Sequence, residues 1–161
     1  GTRPSSRGIE PIRTTLEHAP AIVLPMVREV SGDELRRRPA PGRWSAHEHA
    51  CHLAEVHDLF FARLDAFTSE DRPVIAAYLP SSDEEAGAFL ERDLDAELER
   101  FERDRARFVT RLRELDRSVW DRTAEHPEYS HYSLFILLRH IAMHDHLHAY
   151  RIEEILLSRD E

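Results

Sequence analysis

The sequence predicts an all-α fold, a four-helix bundle with long crossover loops, on three observations. Apolar residues recur at three- and four-residue spacing through four long segments. Serine-led capping signatures, Ser45 with Glu48 and Ser82 with Glu85, mark helix starts. No stretch alternates apolar and polar residues with the period of two that a half-buried strand needs. The chain has 161 residues, no internal repeat and no compositional boundary. That predicts one domain over 1–161, large enough to bury a core without disulfides.

The first helix is expected over Ile9 to Val30, where Ile9, Ile12, Leu16, Ala19, Val23, Met26 and Val30 form the stripe. Pro11 suits a first turn. Pro20 and Pro25 predict a kink or a broken start, because an interior proline removes a backbone donor and crowds the preceding turn. Ser31-Gly32-Asp33 closes the segment, and Arg36 to Gly42 reads as an extended loop. The second helix starts at the Ser45/Glu48 box, with Trp44 just ahead of it, and buries Leu53, Val56, Phe60, Leu64 and Phe67. Arg72 to Ser82, with Pro73 and Pro80, is a crossover or lid. The third helix carries Leu94, Leu98, Phe101, Arg105, Phe108, Leu112 and Leu115, a core stripe with one charge in it. The fourth runs from Ser133 to about Leu157 on Leu137, Ile141, His144, His148, Ile152 and Ile155.

Composition excludes several functions. No apolar run reaches the roughly 20 residues of a membrane span, and the start from Gly1 to Ile9 is polar, which predicts no secretory signal. The net charge of −9, with arginines interleaved among acids, argues against a nucleic-acid partner. There is no lysine, asparagine or glutamine, so Schiff-base and P-loop lysine chemistry is unavailable. The single cysteine, Cys51, cannot form an internal disulfide, which favours a cytoplasmic location.

Histidine is in excess, with eleven. His47, His49, His52 and His57 form one cluster, and His140, His144, His146 and His148 a denser one. His144 and His148 are four apart on a helix, an offset of about 40°, so both rings leave one face one turn apart. That face is the apolar stripe, where unpaired imidazoles are costly and a shared metal ion removes the cost. Asp145 and His146 are expected to point away from it. A third ligand must come from elsewhere. His49 is central on the second helix's stripe, His52 lies at its edge, His57 follows, and His126 and His131 sit in the loop before the fourth helix. Spacing leaves these alternatives open.

Several motifs together are similar to one family. Trp44-Ser45-Ala46-His47-Glu48-His49-Ala50-Cys51-His52-Leu53-Ala54-Glu55 resembles the opening of the second helix in DinB-like (YfiT-like) proteins, small metal-binding four-helix bundles. The approach Leu35 to Gly42, with Arg38-Pro39-Ala40-Pro41-Gly42, resembles the family's loop before that helix. So do Phe101 with Arg105, Val119-Trp120-Asp121-Arg122 followed by His126-Pro127, and the closing run from Leu137 to His148. The resemblance covers nearly the whole chain, and it implies a three-histidine metal site on His52, His144 and His148. The chain departs from the family at Arg151, where glutamine is frequent, and at Tyr129-Ser130-His131, where a glycine follows the His-Pro pair.

Three neutral imidazoles leave coordination positions open, as in a catalytic rather than a structural site. The expected cofactor is a divalent ion, zinc or nickel on imidazole preference. It would serve a small-molecule substrate, by acidifying a water or by activating a thiolate. The resemblance implies both: relatives that transfer low-molecular-weight thiols fit the second, the leading expectation, in stress or detoxification, and the hydrolase label of the family fits the first. The rivals are a metal-dependent hydrolase and a binding protein without turnover. Glu55, one turn from His52, and Arg105, on an inward face, are the candidate catalytic residues. Arg105 is either a pocket cation for a substrate carboxylate or half of a buried ion pair that sets helix register. Glu48 is read as the capping partner and Cys51 as an inert thiol. A homodimer through helix faces is expected.

Overall fold

A computed structural model describes residues 8–79 and 81–158; the polar start over 1–7 and Pro80 of the crossover lie outside the described residues. Four long helices carry the fold: α1 (Ile9–Arg28), α3 (Ala46–Ser69), α5 (Leu94–Glu114) and α7 (Leu134–Leu157). The short helices α2 (Gly32–Arg36), α4 (Ser82–Glu85) and α6 (Arg117–Trp120), and a 3-10 turn over Ala88–Glu91, lie in the connections. Helix α3 packs on α5 and α7, and α1 packs on α7 and α5, which closes the four-helix bundle that the apolar stripes predict.

The caps explain where the helices begin. Ser45 accepts from the Glu48 amide and Glu48 returns a bond to the Ser45 amide, the reciprocal box expected for α3. The second box is shifted by one residue, to Ser81 and Glu84, and it opens only the one-turn α4. The long third helix starts later, at Leu94, where the Asp93 carboxylate accepts from the Asp95 and Ala96 amides. Ser133 caps α7 through the Ile136 amide.

Two short strands appear where none was expected. β1 (Thr123–Ala124) pairs antiparallel with β2 (Tyr132–Ser133), and Val74 bridges Glu125 alongside. Two-residue strands are too short for a period-two pattern to register. They pin the crossover and the loop before α7 to each other, with Ile75 N–H donating to the Glu125 carbonyl at 2.7 Å.

Helix α1 runs unbroken through Pro20 and Pro25, and the packing shows how. Pro20 has no N–H for the Leu16 carbonyl one turn earlier. The Arg105 guanidinium supplies the donor instead, Nη1 to the Leu16 oxygen at 3.0 Å. Pro25 likewise leaves the carbonyl of Ala21 without its intrahelical donor, at a residue that is exposed.

Arg105 also ends the choice between its two sequence readings. It is 1% exposed and bonds both carboxylate oxygens of Asp145, at 2.5 and 2.9 Å. Its Nε donates to His57 Nε2 at 3.1 Å. Asp145 is therefore buried, not turned to solvent as expected. The buried sector of α7 is wider than its main stripe, because a second row, Leu138, Ala142, Asp145 and Leu156, is buried beside it. His146 is exposed.

Removing one partner of this pair strands a charge in the core. Asp145→Ala should lower unfolding stability by about 3–5 kcal/mol, read from urea denaturation midpoints. The double variant Arg105→Met/Asp145→Leu should recover most of that loss, since it removes both charges at once. A double variant no better than the single one would mean that the bonds to Leu16 and His57 matter more than the ion pair.

Candidate metal centre

Helices α3 and α7 lie side by side and bring His52, His144 and His148 together, with one ligand atom from each within 4.8 Å of the others. His52 Nε2 and His144 Nε2 stand 3.0 Å apart, and the His52 and His148 rings are centred 4.5 Å from each other. His52 is buried and the other two are half-buried. The helical spacing that put His144 and His148 on one face holds, their ring centroids being 4.3 Å apart.

The surroundings keep the rings neutral. Burial pushes His52 down to about 3, with help from the charges His144 and His49 would carry. Burial likewise lowers His144, opposed by Asp145. His148 is lowered by burial and then by the neighbouring histidines. Neutral imidazole is the ligating form, and three such rings with converging nitrogens suit a divalent cation. Nδ1 of His52 and of His144 are buried without a hydrogen-bond partner. The cluster therefore lacks the dense polar satisfaction of a purely structural histidine network.

His49 stands beside the three rather than among them. Its Nδ1 lies 2.8 Å from His148 Nδ1, so one ring donates to the other, and burial lowers it to about 4. Such a bond orients His148 from behind. Trp44 packs its ring 5.0 Å from His52 and 5.5 Å from His49, while its Nε1 donates to the Glu84 carbonyl. Tyr78, from the crossover, lies 6.0 Å from the His52 ring. Phe89, whose ring is 6.5 Å from His52, carries no sequence signal; it acquires its place only through tertiary packing.

The remaining histidines have other duties. His57 Nδ1–H donates to the Leu53 carbonyl at 2.9 Å, which leaves Nε2 to accept from Arg105. His47 is buried and bonds the Phe89 carbonyl through Nε2. His126 Nδ1 accepts from the Glu128 amide, and His131 is exposed. Among carboxylates, Glu55 is held by Arg92 at 2.7 Å and Arg100 at 2.9 Å. Burial alone would raise its pKa, but those two arginines outweigh it and hold the group below the usual carboxylate range. Glu48 accepts two bonds from Arg38, at 2.8 and 2.6 Å, besides its capping bonds. Cys51 is fully buried, and burial pushes its thiol up to about 12; it is unreactive.

Comparison with known proteins agrees with this architecture. The family model described as the DinB superfamily matches residues 15–152. A protein of Oceanobacillus iheyensis named "Putative metal-dependent hydrolase" is 26% identical over 148 residues, covering 90% of this chain and 84% of its own length. The solved structure of YfiT from Bacillus subtilis, described as a probable metal-dependent hydrolase with an unusual four-helix bundle topology, superposes with a TM-score of 0.83. It is 23% identical, and the match covers 96% of this chain and 89% of that one.

The depressed imidazoles predict an acid-sensitive protein. Unfolded, each histidine takes a proton near pH 6.5; folded, His49, His52 and His57 resist until about 4, 3 and 3. The unfolded chain binds more protons in that window, so stability falls as pH drops from 6.5 towards 4. The slope is about 1.4 kcal/mol per pH unit for each such group. Urea melts of the chelator-treated protein at pH 7, 6 and 5 should show it, and His49→Gln should flatten it by one group's share. A flat profile would contradict neutral buried rings.

Proposed function

This chain belongs to the DinB superfamily, and from that premise we propose that it is a metal-dependent enzyme that transfers a low-molecular-weight thiol to a small electrophile, in stress or detoxification. The observation that carries the metal reading is the convergence of His52, His144 and His148 across α3 and α7. A divalent ion there, zinc or nickel on ligand preference, supplies a Lewis acid that favours the anion of a thiol or water. The protein's own part is to hold three neutral imidazoles in place and to keep competing protein ligands away.

The nearby carboxylates favour a thiol over water as the nucleophile. Hydrolysis calls for a carboxylate or histidine free to take a proton. Here Glu55 is clamped by Arg92 and Arg100, Glu48 by Arg38, and Asp145 by Arg105. A free thiol is far more acidic than water, so on a metal it gives up its proton to solvent with less help from a base than water needs. Arg105, buried against Asp145, has no place for a substrate carboxylate. The second reading, a metal-dependent hydrolase, is supported by the names of the relatives.

A location in the cytoplasm and a homodimer complete the proposal. Among the described residues no helix is long and apolar enough to cross a membrane. Met143, Leu147, Tyr150 and Leu157 are exposed along the outer face of α7, and their spacing of four, three and seven makes one stripe suited to a two-fold contact.

Purified protein should carry about one equivalent of zinc or nickel. His52→Ala, His144→Ala and His148→Ala should each lower occupancy sharply in metal analysis, while His146→Ala should not. Thiol transfer to a model electrophile, lost in His148→Ala and kept in Cys51→Ala, would support the transferase; ester or amide cleavage without thiol would support the hydrolase. Full occupancy in His144→Ala removes the site. Light scattering should give a dimer that Leu147→Glu converts to monomer; a wild-type monomer at micromolar concentration ends the dimer reading.

A further inference from the structure

A cleft of about 250 Å³ opens at the His144 edge of the three-imidazole cluster. Its walls include Phe60, Tyr78, Tyr129 and Tyr132, and both Arg63 and His144 line it. For scale, a cavity of about 150 Å³ holds a benzene ring, so this one has room for a ring and a short chain. Aromatic walls favour a flat, polarisable body.

Arg63, unlike most arginines around it, is held by a backbone carbonyl, as Arg122 is by those of Phe67 and Thr68. Arg92 and Arg100 pair with Glu55, Arg105 with Asp145, and Arg111 with Asp65. Arg63 donates to a neutral group, the Ala76 carbonyl, at 2.7 Å, and has no carboxylate partner among the described residues. That bond orients the half-buried guanidinium and leaves its charge free to pair with a ligand. Its field reaches the cleft wall, since burial raises the Tyr132 phenol and Arg63 draws it back. Glu128 also lines the cleft but is exposed and forms no ion pair with Arg63 among the described residues. Phe60, three residues before Arg63 on α3, has its ring 6.0 Å from the His144 ring, so one small ligand in the cleft can meet both Arg63 and His144.

We propose that this cleft is the electrophile's subsite and that it takes a small, flat aryl or conjugated carboxylate, with its carboxylate on Arg63 and its opposite end at His144. The assignment of the reacting end rests on the metal-dependent reading above; the binding itself does not. It follows that the substrate carries its reactive atom at the far end from its acid group.

Cinnamate and cinnamamide separate the possibilities, measured by calorimetry with the full chain both metal-loaded and chelator-treated. Cinnamate should bind in both states, about tenfold tighter than the amide, because a charge-assisted bond to guanidinium is lost in the amide. Arg63→Gln should abolish that preference without changing helical circular dichroism, and Tyr129→Ala should weaken both ligands alike. Equal affinities, a preference that survives Arg63→Gln, or no cinnamate binding at millimolar concentration would overturn the proposal. Cinnamate binding that vanishes on chelation yet persists in Arg63→Gln would place the carboxylate on the metal. That result overturns the subsite and leaves the metal reading intact. Conversely, Arg63-dependent binding in a chain that takes up no metal keeps the subsite and removes the metal reading.

Discussion

The Arg105–Asp145 ion pair is the contact on which the bundle turns. One guanidinium reaches all four long helices: it sits on α5, bonds Asp145 on α7, His57 on α3 and the Leu16 carbonyl on α1. Arginine's planar fork makes this possible, since it presents several donors in fixed directions. The partner on α1 exists because Pro20 leaves that carbonyl without an intrahelical donor. A residue that should break a helix here creates the acceptor through which the helix is tied to its neighbours.

This contact lies in a polar layer that divides the apolar core. On one side a cluster joins Leu16, Phe60, Leu64, Phe108, Leu112 and Leu138. On the other, Val23, Val27, Leu53, Leu98, Phe101 and Ile152 form a second. Between them α3 and α7 each carry polar residues on two sectors. On α3, His57 serves the arginine and His52 the three-imidazole cluster; on α7, Asp145 serves the arginine and His144 and His148 the cluster. Rotating either helix about its axis would break both sets at once. The ion pair therefore fixes the angle at which the imidazoles meet, although none of the three touches Arg105 by a hydrogen bond. Buried ion pairs contribute little net stability against apolar replacements, so specifying rotation is the better account of its place here.

What the sequence discloses follows the range of the interaction that sets each feature. The four helices, the Ser45 cap and the His144/His148 pair depend on neighbours within a turn or two, and period and capping chemistry reveal them directly. The choice of His52 over His49 does not. Both lie on the inner half of α3, and only the placement of α7 separates the ring that meets His144 from the ring that backs His148. The burial of Asp145 escapes the pattern for a related reason: periodicity marks a single stripe, and α7 is buried on two sides. The shift of the second box to Ser81, and the placing of Tyr78 and Phe89 beside the site, depend on how a proline-containing crossover lies over α3. No local pattern encodes that.

The division of the core also bears on what a metal would do for this protein. In small zinc modules the ion replaces a core that the chain is too short to build. Here both apolar clusters are complete on their own, and the polar layer between them is closed by Arg105 rather than by the three histidines. The imidazoles stand towards one side of that layer, where His144 borders the cleft and His148 is backed by His49. A cation held there would be added to a bundle already fixed in shape. Its ligands would then be positioned in advance by α3 and α7 and not drawn together by the ion. Such preorganisation is what a site needs if its open positions are to meet substrates rather than further protein ligands.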